Sequence, residues 1–420
     1  MTVAFDSDVN LTVEIGFDSE PFDDSQSFTD VSEYVRGISM RKGRSNELGQ
    51  FVAGTCNLLL SNADNRFNPT QTGVYYDVAN QRTKIQPLKT VRIRATYNSV
   101  TYDLFYGFLD QIPVSYPALG ADSVVTFGCV DAFKIFQSQT IQSVGWKLGQ
   151  VGFSEIGSST RLGYSDVVES SSVRVSRLLD SIGFPSALKS IQTGTMTVQQ
   201  QAITKNLLSA MRECELAENA QFFIGPDGKA TFRNRDYKLS NSKAITVQAT
   251  FDNSGSNLPY EDVVTSFDTN EVLNVYEWTR SSGSTQYVAD ADSINRYTAK
   301  TSTESTINTS DANVKSIIEQ KISETSTPIE RIDALEISPR QNTSLWPKVL
   351  GLGFGDRVKV NITNPNGSIF SDEVWIESIE HNISSAQQNW NYNISLSPAG
   401  SSAWILGQAK LGEGTRFAYA

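Results

Sequence analysis

Charge is scarce in this 420-residue chain: Asp, Glu, Lys and Arg make up 19% of it, against about 25% in an average soluble domain. Ser, Thr, Asn and Gln fill the shortfall, which suits extended, hydrogen-bonded β surface better than long charged helices. Histidine occurs once, at His381, so no multi-histidine metal site can be assembled. Cysteine occurs three times, at Cys56, Cys129 and Cys214. Their wide spacing excludes a CxxC zinc site and any readable disulfide framework; buried free thiols are expected. No run approaches the roughly 18 apolar residues of a membrane span. The opening MTVAFDSDVN has neither the basic start nor the apolar stretch of a secretion signal, so a soluble protein made in a cytoplasm is expected. An excess of positive charge is missing too: 35 Lys and Arg against 46 Asp and Glu leave −11. That excludes a general grip on nucleic acid, which depends on Lys and Arg displacing counterions.

What is present is mostly strand. At about 150 residues per domain the length suggests about three domains. Leu11, Val13, Ile15 and Phe17 alternate with polar residues, as a strand with one buried face does. Cys56, Leu58 and Leu60, then Val91 and Ile93, then Val125, Phe127 and Cys129 repeat the pattern, with no helical period among them. The period changes in the middle. Val175, Leu178, Leu179 and Ile182 predict a helix stopped by Gly183 and Pro185, and Ile203, Leu207, Met211 and Cys214 a second near 198–217. Pro226-Asp227-Gly228 predicts a hairpin turn. Strand patterns return at 272–278 and 286–288, and Ile307 in the Ser/Thr-rich stretch 301–310 predicts an exposed strand or connector. Val314, Ile317, Ile318 and Ile322 predict a short helix. Val358, Val360 and Ile362, then Trp390, Tyr392, Ile394 and Leu396, give the clearest alternation of all. The layout is a β domain, a small α+β insert and a second β domain.

Little catalytic chemistry can be built from these residues. His381 has no nucleophile motif pointing to it, and GxSxG, HExxH and Walker A patterns are missing. Gly351, Gly353 and Gly355 lead into a strand, so a turn is preferred to a phosphate loop. Asp18, Glu20, Asp23 and Asp24 offer oxygen ligands for Ca²⁺ without the register of a calcium loop, which favours a solvated loop. Asn62-Ala63-Asp64-Asn65 starts like a calcium loop but lacks its glycine, and reads as a turn. Trp346, Trp375, Trp390 and Trp404 fill a core or interface in one reading and form a sugar platform in the other. Arg41-Lys42-Gly43-Arg44 is the one local excess of positive charge. Arginines beside such a turn cross-link loops or pair with carboxylates on a neighbouring subunit.

One segment is more specific. Residues 30–69 resemble the N-terminal domain of the tail-hub (minor tail, tail-associated) proteins of long-tailed bacteriophages. The matching elements are Asp30 and Tyr34 in D-V-x-x-Y-V, Arg41, Gly43 and Arg44 in R-x-G-R, and Gly54-Thr55. The close, N-x-D-x-R-F-x-P, holds Asn62, Asp64, Arg66, Phe67 and Pro69. Gly107 in LFYG, Asp131 in VTFGCVDAF, the stretches 177–185 and 213–235, and Gly355-Asp356 continue the resemblance in order along nearly the whole chain.

The resemblance implies a mainly β fold with α+β inserts: two tube-like β-barrel domains plus two smaller peripheral domains. The corresponding boundaries are 1–137 for the first barrel, 138–250 for an α+β insert, and 251–300 with 346–402 for the second barrel. Residues 301–345 would be a small helix-containing insert and 403–420 a C-terminal tail. It further implies a structural hub without catalytic residue, metal or cofactor, located at the tail tip of a virion. Three copies would form a ring that continues a sixfold tube, with a distal tail or tube protein, a tape-measure protein and a central fibre or spike as partners. Genomic DNA would pass through its lumen without sequence-specific binding. The chain ends soon after the last barrel, so wall-degrading activity is expected in other proteins. The alternatives are a carbohydrate-binding or carbohydrate-cleaving tail protein and a hexameric distal-tail ring protein.

Overall fold

The computed structural model describes residues 3–6, 9–23, 25–69, 73–115, 123–140, 168–200, 205–384 and 389–399. The first unit contains β1 (Val9–Ile15), β2 (Val35–Gly43), β3 (Val52–Ser61), β4 (Thr90–Tyr97), β5 (Val100–Gln111), β6 (Val114–Ser115) and β7 (Val124–Val130). They pair in the order β1-β4-β5-β7-β3-β2, with β6 a second neighbour of β7. The alternation read from sequence points Val13, Ile93, Phe105, Phe127, Leu58 and Met40 into one shared core. A six-stranded sheet whose inner faces all meet must curve around that core. The described pairings do not close it.

The insert follows. Asp131 caps α1 (Ala132–Ser138) by accepting from the Phe133 amide, as N-cap carboxylates do. Then come α2 (Ser171–Ser181), β8 (Lys189–Ile191), α3 (Leu207–Glu218), β9 (Gln221–Ile224) and β10 (Ala230–Arg233). The helix expected near 198–217 begins only at Leu207, capped by Asn206, because Thr197–Val198 is extended; Ile203 lies outside the described residues. Phe133 and Phe136 of α1 pack on Phe222 with Leu179 and Met211. The first helix thus packs in the insert core, whereas the bound expected at 137/138 leaves all but its last residue with the first barrel.

The second unit contains β11 (Val247–Asp252), β12 (Asp262–Ser266), β13 (Val275–Arg280), β14 (Thr285–Ala289), β15 (Thr301–Thr306), α4 (Asp311–Thr325) and β16 (Arg331–Ile337). It ends with α5 (Trp346–Gly351), β17 (Arg357–Thr363), β18 (Ile369–Ser384) and β19 (Asn389–Pro398). The expected boundary at 300/301 is corrected here. β13 and β14, assigned to the second barrel, pair with β15 in a separate sheet. The reason is the buried face of Tyr276 and Trp278, which packs on Val314, Ile317 and Ile318 of α4. Conversely β16, expected in the 301–345 insert, and β11, which straddles the expected 250/251 boundary, join the large sheet beside β19 and β17. Phe251, Leu335, Val358, Ile376 and Ile394 form the core of this half. Among the described residues no helix is long and apolar enough to cross a membrane.

The two halves share one sheet. β18 is 16 residues long. Its first half pairs with β17 and its second half, on the same edge, with β2 of the first unit.

Candidate functional site

The β2·β18 seam joins seven residue pairs, from Ser378↔Gly43 to Ser384↔Gly37, and its registers carry straight rows of side chains across both halves. One row runs Val130, Thr55, Arg41, Glu380, Asn393, Glu336, Asp262. The next runs Gly128, Asn57, Ser39, Asn382, Asn391, and a third Thr126, Leu59, Gly37, Ser384, Asn389. Antiparallel partners point to the same side of a sheet. These rows therefore form one continuous face opposite the two cores, with Ser39, Arg41, Thr55 and Asn57 exposed. It is polar with more acid than base: one cation, Arg41, stands against Glu380, Glu336 and Asp262. Asn, Ser and Thr predominate in these rows, so the face offers a hydrogen-bonding surface.

The cores meet behind the seam in a buried charge network. A bulge between Ile376 and Ser378 accompanies the inward turn of Glu377, which is fully buried. Arg44 Nε donates to its Oε2 at 2.6 Å, Ser397 Oγ to its Oε1 at 2.6 Å, and Lys238 Nζ lies 3.4 Å from Oε1. Burial alone would raise this carboxyl; Arg44 and Lys238 outweigh burial and hold it well below the usual carboxylate range. Lys238 also pairs with Glu47 and lies 4.1 Å from the Trp375 ring centroid. Gly43 makes the approach possible. Its φ is +113°, and a Cβ there would stand 2.3 Å from the Glu377 carbonyl oxygen.

Two further contacts tie in the insert. Asp131 accepts from the Gly54 amide at 2.6 Å as well as from Phe133. Burial raises its carboxyl to about 6, although both amides and Lys42 oppose the shift. Lys42 is itself buried and lowered to about 8 by desolvation, with Asp131 and Asp227 pulling the other way. Asp356 accepts from the Gly353 amide at 3.0 Å, and Arg233 donates to the Phe354 carbonyl at 2.5 Å. The Gly351–Gly355 segment is therefore a braced turn leading into β17.

The motif residues thus sort into five places. Arg41 and Thr55 lie on the shared face. Gly43, Arg44, Gly54, Asp131, Gly355 and Asp356 gather at the junction. Gly107 lies on β5, where a Cβ would stand 2.5 Å from the Val130 carbonyl. Tyr34, Asn62, Asp64, Arg66, Phe67 and Pro69 make a rim cluster beyond the end of β3, and Asp30 lies beside β1, opposite Glu14. Asp30 accepts from the Ser32 amide at 2.9 Å, and in the rim cluster Asn62 accepts from the Phe67 amide at 2.9 Å. Arg66 Nε donates to Asp64 at 2.6 Å, and its guanidinium lies 4.0 Å from the Tyr34 ring centroid. Half-buried Pro69 closes the segment. Sequence reasoning missed Glu377 and Lys238, because nothing local in VWIESIEH or DYKLS marks a partner for Arg44, 333 residues away from Glu377. The basic cluster makes its cross-links within the chain: Arg44 pairs with Glu377, so the pairing with a neighbouring subunit is not needed to satisfy it.

Other candidates resolve into structural roles. His381 Nδ1 accepts from Trp390 Nε1 at 3.0 Å, and burial, then Lys42, lower its value to about 3. It is neutral and held in the core. Trp346 and Trp390 are fully buried and Trp375 nearly so, its Nε1 bonded to the Ala244 carbonyl at 2.9 Å. The sugar platform therefore loses these three rings; Trp404 lies outside the described residues. In the acidic loop Asp18 pairs with Lys84 at 2.6 Å and Glu20 lies 3.8 Å from Lys89. Asp23 accepts from the Glu20 amide, and Asp24 lies outside the described residues. Cys56, Cys129 and Cys214 are buried free thiols. A cavity of about 900 Å³ between β5, the insert hairpin and α5 is lined by Lys42, His381, Asp103, Asp227 and Arg233.

No family model and no curated protein matches the chain. Among solved structures it is similar to a tail protein from Neisseria meningitidis MC58, with a TM-score of 0.56 at 8% identity over 93% of this chain and 96% of that one. It is also similar to a 43 kDa tail protein of prophage MuSo2 from Shewanella oneidensis, with a TM-score of 0.52 at 11% identity over 93% and 96% of the two chains. The chain shares the fold of these two tail proteins.

Proposed function

We propose that this chain is a structural subunit of a bacteriophage-type tail tip, acting by shape rather than by bond-making. Three copies form a ring whose six sheet units continue a sixfold tube, and the ring adapts that tube to a threefold fibre or spike below. A distal tail or tube protein would sit above it, with the tape-measure protein inside until ejection. The observation that carries this reading is the polar face that crosses the β2·β18 seam without a break. A wall made from two joined units in each of three subunits matches sixfold neighbours on one side and threefold neighbours on the other. A lining of Asn, Ser and Thr with more acid than base suits a passage for DNA, since it offers few cations to capture phosphates.

Rotational symmetry tests the reading. Particles assembled from the purified protein and its tube-side neighbour should show threefold rings with six-lobed outlines in electron micrographs. Sixfold rings of six copies would select the distal-tail alternative, and monomers under all conditions would remove the ring.

A further inference from the structure

The cavity of about 900 Å³ on the core side of the seam takes no part in the ring. Its lining comes from every part of the chain: Lys42 of β2, His381 of β18, Phe223 and Arg233 of the insert, and Leu350 of α5. Register brings the lysine and the histidine together. Lys42 pairs with Ile379 across the seam, and His381 stands two residues further along β18, so both point to the same side of the sheet. They are near enough for the Lys42 charge to lower His381. We infer that this cavity binds a small apolar monocarboxylate, its carboxylate held by Lys42 and His381 and its body by Phe223, Leu350 and Phe354.

Two buried donors lack adequate partners. Lys42 is 7% exposed. Its Nζ donates one long hydrogen bond, to the Gly225 carbonyl at 3.4 Å, out of a capacity of three. No carboxylate among the described residues forms an ion pair with it. Burial lowers it to about 8 in spite of Asp131 and Asp227, as happens when an ammonium group loses water that no protein group replaces. His381 is 5% exposed. Because its Nδ1 accepts from the Trp390 indole, the neutral ring carries its proton on Nε2. That N–H has no partner among the described residues.

The charges of the lining select the ligand class. Arg233 is a second cation, bonded to the Phe354 carbonyl and facing the Tyr237 ring at 4.0 Å, and it too has no carboxylate partner among the described residues. Asp227 is taken by Lys229 at 2.8 Å, and Lys243 lies 4.0 Å from Asp356. The remaining acid, Asp103, is exposed and solvated. Lys42 and Arg233 against Asp103 leave one positive charge in excess, which a monoanion neutralises and a phosphate dianion overshoots. Phe223, Leu350 and Phe354 are buried and apolar, so a ligand polar all round would leave its own groups unpaired there. An acid with an apolar body would touch β2, β18 and the insert at once.

His381 is the one histidine of the chain, so its imidazole gives a single magnetic resonance signal that reports on this cavity. Benzoate, phenylacetate and hexanoate should move that signal saturably at millimolar concentrations, with benzyl alcohol and sulfate weaker by about tenfold or more. Lys42→Met exchanges an unpaired buried cation for an apolar chain of similar length, a change that keeps or raises stability. It should weaken binding of the acids about tenfold or more. A signal that none of the three acids moves overturns the site. Equal binding of benzyl alcohol overturns the choice of an anion, and equal affinity in Lys42→Met overturns the role of Lys42. Mass spectrometry on the wild-type chain gives a reading that does not depend on the variant's folding. Acetic anhydride should acetylate Lys42 more slowly with benzoate bound, and an unchanged rate at saturation overturns the placement of the carboxylate.

Discussion

Two arginines of the same motif run, Arg66 and Arg44, pair with carboxylates in opposite surroundings. At the rim, Arg66 and Asp64 pair with side chains 23% and 50% exposed; at the junction, Arg44 and Glu377 pair at 9% and 1%. Both arginines also face an aromatic ring, Tyr34 at 4.0 Å and Phe51 at 4.9 Å. The chemistry is alike, and the energetic consequence is not. Water competes for the rim pair and screens it, so its net worth is about 0–1 kcal/mol. At the junction neither partner can turn to water, and removing one strands the other. The rim pair shapes a loop end, whereas the junction pair fixes how two sheet units meet.

Acid should separate the two regions most. His381 has a folded value of about 3 against an ordinary 6.5. The stability it contributes is present above 6.5 and is lost as pH falls toward 3. Glu377, held below its ordinary range, adds a loss in the same direction once pH drops under about 4.5. Asp131 opposes them. Its folded value of about 6 lies above 3.8, so its contribution is full below 3.8 and is lost as pH rises through 6. Hydrogen exchange between pH 7 and pH 3.5 should show the 43–51 and 376–383 segments opening while 62–67 keeps its protection. Equal opening of both regions would contradict this account, and His381→Phe should flatten the slope between 6.5 and 3.

Arg44→Met comes next in size. It leaves Glu377 buried with only Lys238 and Ser397 beside it, and a loss of about 3–5 kcal/mol is expected in chemical denaturation. Arg44→Met with Glu377→Met should recover much of that loss, since it removes the stranded charge. A single-variant loss under about 1 kcal/mol would show that burial is not what distinguishes the pairs. The smallest effect belongs to Asp64→Asn, at about 0–1 kcal/mol by the same measurement and weaker in high salt.

Much of this fold was legible because strand alternation is a local signal. Val358, Val360 and Ile362, or Trp390, Tyr392 and Ile394, declare a buried face without reference to anything distant. Helix α3 was legible through Leu207, Met211 and Cys214, but its start was not. The cap at Asn206 and the extended Thr197–Val198 compete with an apolar spacing that reaches back to Ile203. Domain limits failed where strands leave one sheet for another. β13 looks like any strand of the large sheet, and only the facing Val314, Ile317 and Ile318 decide that it lies elsewhere. The site divides in the same way. The rim contacts Arg66–Asp64 and Phe67–Asn62 span two and five residues, within reach of a motif. The seam joins residues 37–43 to 378–384, a pairing on which no local pattern bears.

The most direct measurement is a density map of the ring assembled with its tube-side neighbour, read for what lines the channel. Ser39, Arg41, Asn57, Asn382 and Asn393 of every subunit should face the lumen across an unbroken β2·β18 seam. A map that turns this face outward, or covers it with another protein, would contradict it.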